Sequence, residues 1–209
     1  MFSSVSPSSS PAYKFVNMIF TSTGGGIMVP IFLNGLPVSI SNDYYIFAIL
    51  FSFFVHSLFP IVREVYKVSK IFQVVISVMF EVNRTFVVTK FTYLAASQLP
   101  ASAFAFPLFG PIMCGAVSGC GGAFMPFNKG LEPMLNGLAP PMMTAFVASA
   151  CFHIYLNTSL SEGCINAKEK ARVHVALFFI AVSLISTFGV GSGSKSVKKE
   201  DAKDEKKKN

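Results

Sequence analysis

Six long apolar stretches, separated by short loops, constrain the fold of this 209-residue chain more than any other feature. A helix needs about 20 mostly apolar residues to cross the hydrocarbon core of a bilayer. Each stretch has roughly that length, and turn residues or charges fall between the stretches. The stretches cover residues 13–34, 44–61, 70–94, 104–127, 138–157 and 172–191. The sequence therefore predicts an all-α integral membrane protein with six transmembrane helices.

The composition supports a lipid environment and argues against a soluble enzyme. Hydrophobic residues make up 52% of the chain and charged residues 13%, about half the charged fraction of an average soluble protein. The sequence contains no phosphate-binding loop, no HExxH zinc motif and no GxSxG nucleophile motif. The four cysteines and three histidines lack the spacing of metal ligands. We therefore expect no enzymatic activity, no resident metal or cofactor, and no nucleic-acid partner.

The distribution of Lys and Arg predicts the orientation of the chain and the character of its ends. Residues 1–12 are rich in Ser and Pro and are predicted to be a disordered lead-in, and the lysine-rich residues 192–209 a disordered tail. Between them we expect a first, shortened helical repeat at 13–94, a second helical repeat at 100–157 and a last transmembrane helix at 172–191. The excess of basic residues on the side of the tail places both termini in the cytosol.

Three charged residues, Glu81, Arg84 and Lys90, interrupt the third apolar stretch. A charge inside a span costs ~2.5–3.5 kcal/mol on insertion scales, so such residues usually face protein or water. Glu81 and Arg84 are three positions apart, and one helical face can pair them. Two interpretations are open at this point. The charges form a structural ion pair between packed helices, or they form a polar lining or lipid-headgroup site that Lys90 extends.

A glycine-rich motif occurs twice in the chain. Residues 23–30 read TGGGIMVP, and residues 119–126, which begin 96 positions later, read GCGGAFMP. Because the second copy lies three spans after the first, the two glycine helices are predicted to run in opposite directions across the membrane. This arrangement predicts an inverted-topology repeat followed by a final single helix. In such repeats, helices interrupted by Gly and Pro meet at a site near the middle of the bilayer.

Glycine allows two different outcomes inside a span. It lets two backbones approach closely, and it lets a helix kink and free its carbonyl groups. Freed carbonyl groups must face protein or a water-filled path, because lipid offers no donors. One motif alone would favour packing through small residues, but two inverted copies favour a conduction path lined by glycine kinks. The predicted pore and gating residues are Gly24, Gly25, Gly26, Pro30, Ser118, Gly119, Gly121, Gly122 and Pro126, with hydroxyl groups from Thr21 and Thr23.

The order of these motifs resembles that of the trimeric intracellular cation channels and their prokaryotic relatives. In that family, paired glycine-triplet helices lie in inverted three-helix repeats, and the fourth helix carries a lysine-glutamate-valine-x-arginine motif. Residues 80–84, Phe-Glu-Val-Asn-Arg, are similar to that motif, and a lysine-rich tail follows the last helix as it does in the family. The resemblance covers residues 13–209. The family's first helix has no counterpart, because residues 13–34 match the second, so the chain is either a shortened member or an incomplete gene model.

The resemblance implies a homotrimer with a separate pore in each subunit. Family members pass potassium and other monovalent cations across endoplasmic or sarcoplasmic reticulum and balance charge while calcium is released. In animal members the charged motif binds a phosphoinositide between subunits. Two departures bear on this site: Phe80 replaces the first lysine of the motif, and Ser118 stands where animal members have a lysine. The implied lipid-binding residues are Glu81, Arg84 and Lys90, with Arg63, Lys67 and Lys70 as the second choice.

We therefore expect a channel for monovalent cations, chiefly potassium, that provides counter-ion flux across the endoplasmic reticulum membrane during calcium release. The expected partners are membrane lipids, potassium ions and further copies of the chain. Two alternatives remain at this point. A secondary transporter built on the same inverted repeat would show saturable, substrate-specific flux, and a non-conducting membrane scaffold would show no flux.

The predicted topology can be tested with epitope tags on both termini. Six spans place the two termini on one side, and the basic residues make that side the cytosol. Protease added outside intact microsomes should therefore remove both tags, and a lumenal marker protein should survive as the control. Protection of the N-terminal tag alone would require an odd number of spans.

Overall fold

A computed structural model describes residues 9–189 apart from residues 102, 126–129 and 136, and for Arg63 it describes the backbone alone. Over these residues the protein is all-helical and contains no β-strand, which confirms the predicted all-α class. The α-helices of this part of the chain are α1 (Pro11–Phe32), α2 (Val38–Ser41), α3 (Asp43–Leu58), α4 (Pro60–Val68), α5 (Lys70–Gln98), α6 (Phe109–Cys120), α7 (Pro140–Leu156) and α8 (Ala167–Phe188).

Each predicted apolar stretch overlaps one of the longer helices, and the first helix starts earlier than expected. Helix α1 begins at Pro11, so the last two residues of the predicted lead-in at 1–12 are helical. The hydroxyl oxygen of Ser10 accepts a hydrogen bond from the backbone N–H of Tyr13 at 3.2 Å. This cap, together with a proline in the first turn, is a strong start signal for a helix. The predictions for residues 1–8 and 192–209 fall outside the described residues.

Three helices, α1, α5 and α8, are long and apolar enough to cross a membrane. Helices α3 and α4 would supply a fourth span if they counted as one, but they are bent by 98° at the break between them. Helix α6 with the turn that follows it, and helix α7, are shorter apolar helices. At 1.5 Å per residue, the 17 residues of α7 extend about 25 Å, less than the ~30 Å hydrocarbon core. Three to four helices of membrane length are therefore present in the described chain.

Helix α5 packs against α6, α7 and α8. Helix α6 runs antiparallel to it, because Arg84 lies beside Gly119 while Leu99, further along α5, lies beside Gly110. Helix α8 is also antiparallel, since Arg84 contacts Phe179 in the middle of α8, whereas Arg172 near the start of α8 bonds to Thr89, further along α5. The charged third stretch of the sequence therefore lies at the centre of the packing.

The buried face of α5 carries a row of threonines rather than only apolar residues. Thr85, Thr89 and Thr92 are buried, and each hydroxyl donates a 2.8 Å hydrogen bond to the carbonyl oxygen four residues earlier in the same helix. Because these hydroxyls are satisfied within α5, other helices can cover them without leaving an unpaired polar group. Gly115 of α6 packs directly on Thr92, so the backbone of α6 approaches this row of threonines closely.

Two apolar clusters surround this face, and much of the outer surface is apolar as well. Phe51 and Ile71 are 72% and 80% exposed, as suits side chains that face lipid rather than water. The first cluster joins α5, α7 and α8, and the second joins α1, α5 and α6. The first contains Val88, Ala148, Phe152, Ala171, Val175 and Phe179, and the second Val29, Phe91, Ala95 and Cys114.

Candidate functional site at the glycine crossing

The two glycine motifs meet in the folded chain. We call their contact the glycine crossing; it is formed by Gly24 and Gly25 of α1 with Ser118, Gly121 and Gly122. A Cβ atom built on Gly24 would lie 2.7 Å from the carbonyl carbon of Gly121, and one built on Gly25 would overlap the carbonyl oxygen of Ser118. Real Cβ contacts are not this short, so the backbones touch here and no side chain fits between them.

The two segments pass each other in opposite directions. Gly122 lies against the carbonyl group of Thr21, whereas Ser118 lies against Gly25. As the residue number rises along α1, the number of its partner on α6 therefore falls. Val29 of α1 and Cys114 of α6 belong to one apolar cluster and continue the same register. The antiparallel approach of the two glycine helices agrees with the direction that the span count predicts.

Only the second glycine motif interrupts its helix, which corrects the expectation of a glycine kink in each copy. Helix α1 continues through its glycines to Phe32, with Pro30 inside it. Helix α6 ends at Cys120, whose φ of −133° is not helical, and one 3₁₀ turn follows at Gly121–Phe124. Glycine permits both conformations, so the neighbours rather than the motif decide which one forms.

The remaining predicted pore residues lie at or beside the crossing. Gly26 faces the side chain of Val38 in α2, and Pro30 is buried in the last turn of α1. The hydroxyl of Ser118 donates to the carbonyl oxygen of Gly115 at 2.7 Å, and that of Thr23 donates to Ile19 at 2.7 Å. These hydroxyl oxygens keep lone pairs that could face a cation. The predicted pore residue Pro126 falls outside the described residues.

Arg84 connects the glycine crossing to the rest of the helices. Its side chain is 8% exposed, and its Nε–H donates to the carbonyl oxygen of Gly119 at 3.0 Å. One Nη donates to Glu81 at 3.1 Å, and the other donates to the hydroxyl of Thr144 at 3.1 Å and to the carbonyl oxygen of Pro141. The guanidinium also lies over the ring of Phe179, 4.4 Å from its centroid. One side chain of α5 thus joins α6, α7 and α8.

The bond from Arg84 to Gly119 completes the end of α6. The last four carbonyl groups of a helix have no intrahelical donor, and Gly119 is one residue before the final residue of α6. A Cβ atom on Gly119 would come within 2.6 Å of Val88 and 2.9 Å of Ala145. A glycine is therefore required where α6 approaches α5 and α7 closely enough for the guanidinium to reach its carbonyl oxygen.

The predicted pairing of Glu81 with Arg84 is confirmed, whereas Lys90 lies apart from the pair. Glu81 and Arg84 are both buried and form an ion pair of 3.1 Å. Lys90 is exposed, and its ammonium group is 5.7 Å from the ring centroid of Phe91. The structural ion pair is therefore the better-supported interpretation within one chain, because the guanidinium of Arg84 has protein partners and little surface left for a lipid phosphate.

The second-choice lipid residues lie on a different part of the molecule. Lys67 on α4 is exposed and forms an ion pair of 2.9 Å with Glu64. Lys70, which is also exposed, is the first residue of α5. The side chain of Arg63 falls outside the described residues. Lys67 and Lys70 lie before or at the start of α5, away from the glycine crossing. In the described chain, neither of them contacts Arg84.

His153 is a buried residue between helices, and both of its ring nitrogens have hydrogen-bond partners. It is 1% exposed, its Nε2 lies 2.6 Å from the carbonyl oxygen of Pro107, and Phe106 packs edge-on against the ring. A carbonyl oxygen can only accept, so Nε2 carries the proton and Nδ1 accepts from the side-chain amide of Asn157 at 3.2 Å. Within the described residues, no group of His, Cys, Asp and Glu side chains could hold a metal ion.

Sequence reasoning missed the partners that α7 and α8 contribute. Thr144 and Phe179 both contact Arg84, and Arg172 of α8 donates to the hydroxyl of Thr89 at 3.1 Å. Two prolines at the start of α7, Pro140 and Pro141, mark a helix start, but nothing in the local sequence assigns a carbonyl group there to a residue of α5.

Comparison with protein-family models, with curated proteins and with solved structures gave no match.

Gly25→Ala and Gly26→Ala form a matched pair that tests the crossing. A methyl group at Gly25 would overlap the Ser118 carbonyl, whereas one at Gly26 would lie 3.3 Å from the Cβ and Cγ2 atoms of Val38. We expect Gly25→Ala to lower the free energy of unfolding by ~1–3 kcal/mol, the usual cost of overpacking. Gly26→Ala should change it by less than ~1 kcal/mol. Thermal unfolding in detergent, followed by circular dichroism, measures both, and equal melting temperatures would contradict the contact.

Arg84→Met tests the buried ion pair. It leaves Glu81 buried without its partner, and breaking such a pair costs ~3–5 kcal/mol. The double variant Glu81→Gln/Arg84→Met removes both charges and should recover part of that loss. Lys90→Met, which removes an exposed cation from the same helix, is the control and should stay within ~0.5 kcal/mol of the parent. An Arg84→Met variant as stable as Lys90→Met would show that the packing does not depend on the pair.

Proposed function

We propose that this protein conducts monovalent cations passively across a membrane, with the gate at the glycine crossing. The observation that carries the proposal is the direct contact of two glycine backbones beside the end of α6. The atoms in contact here are backbone atoms, and they include the carbonyl oxygens of Thr21, Ser118 and Gly121. Rings or rows of such oxygens can replace the hydration shell of a cation without any fixed negative charge.

The crossing as described is closed. No space for even one methyl group exists between Gly24 or Gly25 and the residues opposite, so an ion cannot pass between them in this arrangement. Opening requires α6 and its 3₁₀ turn to move away from α1. Such movement would expose the carbonyl groups of Thr21, Ser118 and Gly121, which supports a role for these oxygens in coordinating a partly dehydrated ion.

Arg84 is well placed to control this movement. Its Nε–H bond to Gly119 holds the end of α6, and its other bonds lead to α7. Displacing α6 must break or replace the bond to Gly119. The positive charge beside a cation path is balanced by Glu81 at 3.1 Å, so the pair lowers the electrostatic barrier that a lone guanidinium would impose.

The wider organisation follows the resemblance and is part of the proposal. It comprises six spans with an inverted repeat, both termini in the cytosol, a homotrimer, selectivity for potassium and residence in the endoplasmic reticulum. Counter-ion flux during calcium release would be the role in the cell, and a phosphoinositide bound near the charged helix would be the regulator. The helices of membrane length in the described chain support the membrane assignment.

One observation also favours a second candidate function, that of a non-conducting scaffold. Helices that pack through small residues show the same absence of space for side chains that the glycine crossing shows. A scaffold would keep this contact permanently, whereas a channel must separate it. The third candidate, a secondary transporter, would move the crossing once for each transported substrate.

Recording purified protein in planar bilayers with asymmetric potassium chloride separates the three candidates. A channel should give ohmic currents that reverse near the potassium equilibrium potential. Saturable flux in liposomes without such currents would indicate a transporter, and folded protein without any flux would indicate a scaffold. Gly25→Ala prevents the closed contact, so we expect it to raise the ratio of open to closed channels about tenfold, which corresponds to ~1.4 kcal/mol. Gly26→Ala is the control and should leave that ratio unchanged.

A further inference from the structure

Helix α4 separates its apolar and charged side chains more completely than its neighbours do. Ile61, Val65 and Val68 recur at spacings of four and three, which places them on one side of the helix. They are 69%, 48% and 82% exposed. Lys67 lies on a different side of the helix, and Glu64, at the edge of the apolar row, pairs with it at 2.9 Å. The helix therefore offers an uncovered apolar face and a charged face.

A proline marks the start of α4, and two hydrogen bonds hold its end. At its start, Pro60 occupies the first turn, directly after the 98° bend from α3. At its end, the side-chain amide of Gln73 donates to the carbonyl oxygens of Tyr66 at 2.8 Å and Lys67 at 3.2 Å. These are two of the carbonyl groups that the end of a helix leaves without partners. The corner between α4 and α5 is thus held by a residue of the next helix.

The start of α5 indicates where the corner between α4 and α5 lies relative to a membrane. The hydroxyl oxygen of Ser69 accepts from the backbone N–H of Phe72 at 3.3 Å, and α5 begins at Lys70. The 29 residues of α5 extend about 44 Å at 1.5 Å per residue, close to the ~40–45 Å of a bilayer with its headgroup regions, so a spanning α5 begins among the headgroups. Helix α4 ends two residues earlier, so its last turn lies at the same level.

Exposed apolar side chains also flank α4 on both sides along the chain. Phe59 before α4 and Ile71 after it are 56% and 80% exposed. A helix with an exposed apolar row and charged residues beside it, next to the start of a span, is typical of helices that lie in the membrane interface. Lys67 and Lys70 are exposed beside it and carry the charge that phospholipid phosphate groups attract.

We propose that α4 is an interfacial anchor that lies in the plane of the membrane. Its apolar face is covered by the boundary between headgroups and acyl chains, and the ammonium groups of Lys67 and Lys70 contact lipid phosphates. The occupant of this face is the bilayer itself rather than a soluble ligand or a second protein. The proposal requires α5 to span a membrane and does not depend on ion conduction.

An introduced tryptophan can report the depth of α4, because the chain contains no tryptophan of its own. Val65→Trp and Ile61→Trp place the indole on the apolar face, and Lys67→Trp places it on the charged face. Met79→Trp, at a 65% exposed position further along α5, is the matched control for hydrocarbon. Full-length variants that elute as the parent does are reconstituted in phosphatidylcholine vesicles containing phosphatidylserine.

Quenching by aqueous iodide and by lipids brominated near the headgroup end or near the chain end then gives the depth. We expect the two apolar-face variants to be quenched mainly by lipid brominated near the headgroup end, and Lys67→Trp mainly by iodide. Iodide quenching of all three α4 variants would overturn the proposal, because α4 would then be a solvated loop. Quenching like that of Met79→Trp would make it part of a broken span, and protection from every quencher would place it in a protein interface.

Discussion

A guanidinium group buried among helices must find acceptors for its N–H groups, because neither lipid nor apolar side chains supply any. Arg84 finds them on its own helix and on two others, at Glu81, Gly119 and Thr144. The requirement restricts where α6 can end and where α7 can begin. It also explains why the third apolar stretch tolerates charges: their desolvation is offset by bonds that hold several helices together, and the ring of Phe179 covers the group from α8.

Local patterns allowed the helices and the ion pair to be predicted. The lengths of the apolar stretches located the helices, and the spacing of Glu81 and Arg84 by three positions predicted their pairing. The partners on other helices could not be predicted in the same way. Thr144 lies 60 residues beyond Arg84, and Phe179 is one of 23 phenylalanines. No short-range pattern distinguishes these residues, since only the packed arrangement brings them to the guanidinium.

The glycine motifs show a different limit of sequence reasoning. Repetition of the motif indicated that the two copies belong to one site, and they do touch. Their conformations could not be read from the motif, because glycine is compatible with a straight helix and with a break. In α1 the chain continues to a terminal turn in which Asn34 has positive φ and the N–H of Gly35 donates to Pro30 at 2.7 Å. In α6, the side chain of Arg84 takes the carbonyl of Gly119.

The two copies of the glycine motif differ in how their helices continue. Helix α1 runs on through its glycines, with one backbone bond missing at Pro30, whereas α6 is interrupted after Cys120. The bond from Arg84 to Gly119 is one of the contacts that oppose movement of α6, and a hydrogen bond to a charged group contributes ~1.5–3 kcal/mol. Hydrophobic mismatch costs fractions of a kcal/mol for each ångström of bilayer thickness. A change of a few ångströms in the surrounding membrane is therefore comparable in energy with the bond that joins the end of α6 to α5.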